Sequence, residues 1–294
     1  MSRPVVSIII RTMGRASLAR SVDCALAQSW RPLEIAIVRA GGDSLPAFAS
    51  DSDVPIRVLD RGPLNRPQAA NAGLAEAHGE WLVFLDDDDE ILPTHVETLM
   101  DLVLDSGNAL VAYSATLCLD ADGRPSRVLD EPFDRRALFV RNYIQLGAAL
   151  FSRQLVQEGY RFDESFERLQ DWDFWMQLAT RTHFAASRQR TNLWWMESGE
   201  SGTGGGGNRD SEGVGPYLEM FDGKWRPSFA ALDRKLEHHR KAVHAATERN
   251  DEAGVTSHME AVDRLLRGPV SGMRARGARV DDLARTTISR SGKP

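Results

Sequence analysis

Residues 81–89 read Trp-Leu-Val-Phe-Leu-Asp-Asp-Asp-Asp, a short apolar run that ends abruptly in four carboxylates. An unbroken apolar run of this length reads as a strand buried on both faces, as in the middle of a parallel sheet. Its charged end then marks an opening, because ligands of open α/β sheets bind beyond the carboxyl ends of the strands. Four adjacent carboxylates repel one another. A hard divalent cation is the natural counterweight, since such ions take oxygen ligands. On an extended backbone Asp86 and Asp88 would point to one side, which makes them the candidate metal pair. A solvated acidic turn, with Asp89 capping the next helix, is the other reading of this segment alone.

The surrounding pattern agrees with a sheet of this kind. Val5–Ile10, Glu34–Val38, Ile56–Leu59 and Ala109–Leu119 are strand-like. Helical spacing occupies Ser17–Gln28, Pro67–His78 and Pro93–Leu104, with Gly79 as a stop signal and Pro93 in a first turn. Such βα alternation predicts an α/β fold, a mostly parallel sheet with helices on both faces. Further along, Asp120–Gly123 is a turn and Asn142–Glu158 is apolar and mixed. Phe166–Arg181 reads as an amphipathic helix and Phe184–Met196 as one or two strands. Gly199–Gly215 is a Gly-rich loop, and two helical patterns follow from Ser228. The expected division is a catalytic domain over 1–225, a helical extension over 226–270 and a loose basic tail over 271–294.

The 294 residues suffice for one large domain with an appendage. No apolar run approaches the roughly 20 residues of a membrane span. Met1-Ser2-Arg3-Pro4 lacks the apolar core of a signal peptide, and two cysteines make no disulfide framework. A cytoplasmic protein is therefore expected, with the inner face of the membrane as a further location. From Lys224 onward 15 basic residues stand against 9 acidic ones, leaving 21 and 33 of the chain's 36 and 42 to the part before it. An acidic body with a basic end, net charge −6, argues against nucleic acid as a partner. The basic helices present apolar stripes that call for a docking surface, a homodimer partner or peripheral membrane contact.

Taken together, several segments resemble glycosyltransferase family 2. They are Asn71-Ala72-Gly73, the run from Ala77 through Asp89, the opening Val6–Thr12 with Gln28-Ser29-Trp30 and Leu33-Glu34-Ile35, and Phe162-Asp163-Glu164 through Gln170-Asp171-Trp172-Asp173. The resemblance covers about residues 4–200. It implies a GT-A fold and an inverting transfer of one sugar from a nucleotide-diphosphate sugar to a glycan, lipid-linked or protein acceptor. It also implies Mn²⁺ or Mg²⁺ at Asp86 and Asp88, and Asp171 as the catalytic base. Arg11 stands where the family has Pro, Arg39-Ala40-Gly41-Gly42-Asp43 where it has Asp-Asp-Gly-Ser, and Gln170 where it has Glu. The Gln-x-x-Arg-Trp signature of processive synthases is absent.

Candidate donor contacts are Arg11, Thr12 and the neighbouring Arg15 after the first strand, with Asp43, Arg66, Asn71 and Asp87. Arginine matches phosphate geometry. Asp171 and Asp173 diverge by about 200° on a helix and should not share one role. Asp173, Trp172 and Trp195 are candidates for the acceptor side or for support of the base. The seven histidines show no ligand spacing, and the adjacent His238-His239 read as solvated. A nucleotidyltransferase would need a Lys-bearing phosphate loop near the N-terminus, whereas lysine is absent before Lys224. A non-catalytic sugar- or metal-binding relative is the remaining alternative.

Overall fold

A computed structural model describes residues 3–42, 45, 48, 53–196, 211–249 and 251–267. Four parallel strands form the front of the sheet: β1 (Val6–Thr12), β2 (Leu33–Arg39), β3 (Ile56–Asp60) and β4 (Trp81–Asp86), in the order β3-β2-β1-β4. Beyond β4 the sheet becomes mixed. β8 (Ala149–Ser152) runs antiparallel to β4 and to β6 (Val111–Leu119), and β6 runs parallel to β9 (Phe184–Trp195). A two-residue β5 (Glu90–Ile91) pairs with β9, and β7 (Pro125–Leu129) folds back on β6 through the turn expected at Asp120–Gly123. Phe184–Trp195 is thus one strand, with register shifts against β6.

Alternation along the strands separates two cores. Ile8, Ile10, Val83 and Leu85 face α1 (Leu18–Leu26) and α3 (His95–Ser106). Ile9, Leu82 and Phe84 face the other side, under α2 (Arg66–Glu76), α4 (Arg135–Val140) and α6 (Gln170–Ala179). The short α5 (Arg153–Gln157) adds Leu155 and Val156 to that side. α2 opens with a reciprocal Asn65–Gln68 capping box and Pro67 in its first turn. Gly73 lets it approach β1 closely, because a Cβ there would collide with Ile9. These two features bring Arg66 to the end of β1.

The α6 helix departs from the sequence expectation. It is shorter than Phe166–Arg181, and it is buried on every side except at Asp171. The cause is α7 (Ser211–Glu248), a continuous helix that covers the face expected to meet water. Phe221 of α7 stacks on Trp172 with ring centroids 4.1 Å apart, and Phe221, Trp225, Phe229, Leu232 and Leu236 join the core. The apolar stripe of α7 therefore docks on its own chain. Residues 211–215 of the Gly-rich stretch lie within α7, and residue 225, the expected end of the catalytic domain, falls inside the same helix. The rest of that stretch, 199–210, and the expected tail 271–294 lie outside the described residues. α8 (Glu252–Arg267) folds back along α7, placing Val262 and Leu265 against the core. No helix among the described residues is long and apolar enough to cross a membrane.

Candidate active site

Strand register assembles one wall of the site. Arg11 at the end of β1 lies beside Asp86 at the end of β4. Its Nη2 donates to Asp86 Oδ1 at 2.5 Å, and its side chain is only 8% exposed. The chain then turns rather than staying extended, with Asp89 N–H donating to Asp86 C=O at 3.1 Å. This corrects the extended geometry assumed for Asp86 and Asp88, although both still open into one cleft. Asp87 is buried and saturated. It accepts from Thr12 Oγ1 at 2.6 Å, Met13 N–H at 3.3 Å and Arg15 Nη1 at 2.8 Å. Asp89 caps no helix; it is buried and accepts from Gln145 Nε2 at 2.7 Å and Trp195 N–H at 3.2 Å. Burial, with Asp88 and Asp86 nearby, holds its carboxyl well above the usual carboxylate range.

Asp88 is the least satisfied of the four. Its ion-pair partner, Arg15 Nη1, stands 3.5 Å away. Burial, reinforced by Asp86 and Asp87, pushes its carboxyl up to about 6. Arg66, at the start of α2, lines the same cleft with no side-chain hydrogen bond or ion pair among the described residues. Burial disfavours its charge, and Arg11 and Arg15 add to that against the pull of Asp86. A half-buried guanidinium in this position is poised for an anion.

Asp171 lines the same cleft, of about 360 Å³, within the size range of small-molecule sites. It occupies the first turn of α6, just after Leu169, which adopts a left-handed backbone conformation (φ 60°). Asn142 Nδ2 donates to Asp171 Oδ2 at 2.9 Å. Burial raises the Asp171 carboxyl above its ordinary value, against the Trp172 N–H, Arg11 and Asn142, which favour the charged form. Gln170, neutral and buried, sits beside it.

Of the residues expected from sequence, Arg11, Thr12, Arg66, Asp86, Asp87, Asp88, Asp171 and Trp195 line this cleft. Three do not. Asn71 bonds Phe162 C=O, Phe162 N–H and Glu164, tying α2 to the loop before α6. Trp172 is core, its Nε1 donating to Leu138 C=O at 2.5 Å. Asp173 is fully buried and accepts from Lys224 Nζ at 2.9 Å, Trp225 Nε1 at 2.9 Å and Gln177 Nε2 at 2.8 Å. It faces α7 because α7, unseen in local spacing, packs over that side of α6. Asp43 lies outside the described residues. The cleft also contains Asn142, Gln145, Arg127, Arg168 and Trp194. Asn142 and Gln145 carry no sequence signal, since they come from an irregular segment before a one-turn 3-10 helix at Leu146–Ala148.

Among the described residues, no three carboxylate, imidazole or thiol groups are arranged to hold an ion by themselves. The residues present fit Mg²⁺ or Mn²⁺ in another way. Such ions keep waters and bind through one or two carboxylates completed by substrate phosphates. Asp88 is weakly paired, and the second oxygen of Asp86, Oδ2, accepts no hydrogen bond among the described residues.

The family model for Glycosyl transferase family 2 matches residues 7–162, more than half of the 294 residues. The succinoglycan biosynthesis protein ExoO of Rhizobium meliloti is 30% identical over 135 residues, 44% of this chain and 38% of that protein. The uncharacterized glycosyltransferase YwdF of Bacillus subtilis is 28% identical, over 59% of this chain and 68% of its own length. A GalNAc(5)-diNAcBac-PP-undecaprenol beta-1,3-glucosyltransferase of Campylobacter jejuni is 26% identical, over 55% and 56%. Apart from YwdF, the first curated relatives match over less than two thirds of their own length, down to 27%. Among solved structures, S. aureus TarS 1–349 in complex with UDP-GlcNAc is similar with a TM-score of 0.52 at 15% identity, over 66% of this chain and 59% of that one. TarS 1–349 alone gives 0.51 at 10% identity, over 88% and 91%. At these identities the likeness is one of fold, and it agrees with the α/β GT-A architecture expected from the sequence.

Proposed function

The chain belongs to Glycosyl transferase family 2, and on that premise we propose that it transfers a single sugar from a nucleotide-diphosphate sugar to an acceptor hydroxyl, inverting the anomeric centre. The observation that carries this reading is that one cleft holds Asp171 together with Asp86, Asp88 and Arg66, whose side chain has no ion pair among the described residues. An inverting displacement needs a base on the face opposite the departing group. Asp171 takes the acceptor proton as the acceptor oxygen bonds to the anomeric carbon. The bond from that carbon to the diphosphate oxygen breaks with its electron pair. Arg66 and Arg15 are positioned to receive the charge that develops on the diphosphate. The raised Asp171 carboxyl is a stronger base than an ordinary one at neutral pH. Asp88, with Asp86, would hold Mn²⁺ or Mg²⁺, which when bound supplies further neutralisation of the leaving diphosphate. Asn142 fixes the orientation of the base.

A uridine diphosphate donor is suggested by the TarS complex, and a lipid-linked glycan acceptor by the Campylobacter relative. Such an acceptor would place the chain at the cytoplasmic face of a membrane, in surface-glycan synthesis. The test is a thermal-shift panel of UDP-, GDP- and dTDP-sugars with and without Mn²⁺, followed by donor consumption. One nucleotide class should raise the melting temperature in a Mn²⁺-dependent way and be turned over. Saturable binding without turnover would point to the non-catalytic alternative, and no shift with any nucleotide sugar would overturn the proposal.

A further inference from the structure

The turn between α7 and α8 brings together two histidines that are 19 residues apart in sequence. His239 Nδ1 and His258 Nδ1 stand 3.1 Å apart, with ring centroids at 5.4 Å. Both lie in the apolar seam of the hairpin. His239 follows Leu236 by three residues and precedes Val243 by four, and His258 follows Val255 by three and precedes Val262 by four. Leu236 is buried and Val262 packs on the core. Each imidazole is half-buried and directed at the other helix, so the solvated pair expected from sequence is instead one facing residue and one neighbour. Two neutral imidazoles can satisfy this contact with a single shared proton. A metal ion satisfies both nitrogens.

We propose that His239 and His258 form a two-histidine site for a transition-metal dication such as Zn²⁺, Ni²⁺ or Cu²⁺, clipping α7 to α8. Two nitrogens each about 2.0–2.1 Å from one tetrahedral ion stand about 3.3–3.4 Å apart, so the observed spacing needs only a few tenths of an ångström of adjustment. Imidazole suits these metals, whereas the carboxylates of the sugar-transfer cleft suit Mg²⁺ and Mn²⁺. Water completes the coordination sphere. Besides its partner, His238 and Arg264 lie near His239. The clip would act on the α7–α8 hairpin that packs on the core. Arg135 donates from Nη1 to Leu265 C=O at 3.0 Å near the end of α8, so a tightened hairpin is anchored at both ends.

The test uses the full chain, titrated with NiCl₂ or ZnCl₂ at pH 7.5. At about a hundredfold excess over Kd the melting temperature should rise by about 5 °C, and calorimetry should give one equivalent. His239→Leu and His258→Leu keep an apolar seam and should abolish the shift. Asp88→Asn should leave it intact, which separates this site from the cleft. No shift and no heat in the unaltered chain would overturn the proposal, as would an equal shift in both leucine variants. If a variant fails to fold, Co²⁺ titration of the unaltered chain decides. One equivalent bound by nitrogen and displaced below about pH 6 supports the clip, and no such binding overturns it.

Discussion

The turn after β4 and the first turn of α6 both gather acids, and they treat them in opposite ways. Asp86–Asp89 points four carboxylates at one small volume, where arginines, backbone N–H groups and Gln145 satisfy some and leave Asp88 short of partners. Asp171 and Asp173 are two residues apart on a helix and share nothing. One opens to the cleft beside Asn142, and the other is sealed against Lys224 and Trp225. Clustering on a strand end concentrates charge for a ligand. Clustering on a helix distributes it to different neighbours.

That contrast can be broken experimentally, most strongly at Asp173. Asp173→Ala strands Lys224 and Trp225 Nε1 against the core, although Asp163 Oδ2 still meets Lys224 at 2.8 Å. The expected loss is about 3 kcal/mol in urea unfolding, the low end for a broken buried pair. A loss below about 1 kcal/mol would show that Asp173 is not the anchor of α7.

Asp88→Asn should weaken Mn²⁺-dependent donor binding at least tenfold, about 1.4 kcal/mol, measured by calorimetry with and without EDTA. It should not cost stability. With its folded carboxyl raised to about 6, ionised Asp88 destabilises the fold fully above that pH, less as pH falls toward the unfolded value of about 3.9, and not below it. The variant should therefore melt at or above the unaltered protein at pH 8, with the gap closing in acid. A lower melting temperature at pH 8 would mean that Asp88 is held by unseen favourable contacts.

Smaller effects sharpen the same contrast. Trp225→Phe keeps an aromatic ring but removes the indole N–H donor to Asp173 Oδ1 and some buried volume, for at least about 1 kcal/mol. Asp171 is raised in the same direction as Asp88, so the acid limb of kcat/KM should lie above about 3.9. A limb at or below that value would remove Asp171 as the titrating base.

Much of the front sheet was readable because its signals are local. Val6–Thr12 and Trp81–Asp86 are β-branched or apolar runs without competitors, and the helical spacing that starts at Pro67 and stops at Gly79 announces α2. The acidic strand end was readable for the same reason. The environment of α6 was not, because Phe221, Lys224 and Trp225 arrive about 50 residues later and turn an apparent solvent face into core. The contacts of Asn71 were out of reach for a related reason: its partners, Phe162 and Glu164, lie about 90 residues away. Arg15, a candidate by its place after the first strand, reaches both Asp87 and Asp88, partners that spacing does not reveal. Spacing gives direction around a helix axis, but only tertiary packing decides which direction is inside.

The most direct measurement is a paired one on Asp171→Asn and Asp173→Asn, recording both melting temperature and single-turnover donor consumption with the nucleotide sugar found by thermal shift. Asp171→Asn should keep its melting temperature and its donor affinity while turnover falls by roughly 10²–10⁴-fold, the range for a general base. Asp173→Asn should melt lower, with turnover per folded molecule close to that of the unaltered protein. Near-full turnover in Asp171→Asn, together with abolished turnover and an unchanged melting temperature in Asp173→Asn, would contradict the account and exchange the two roles.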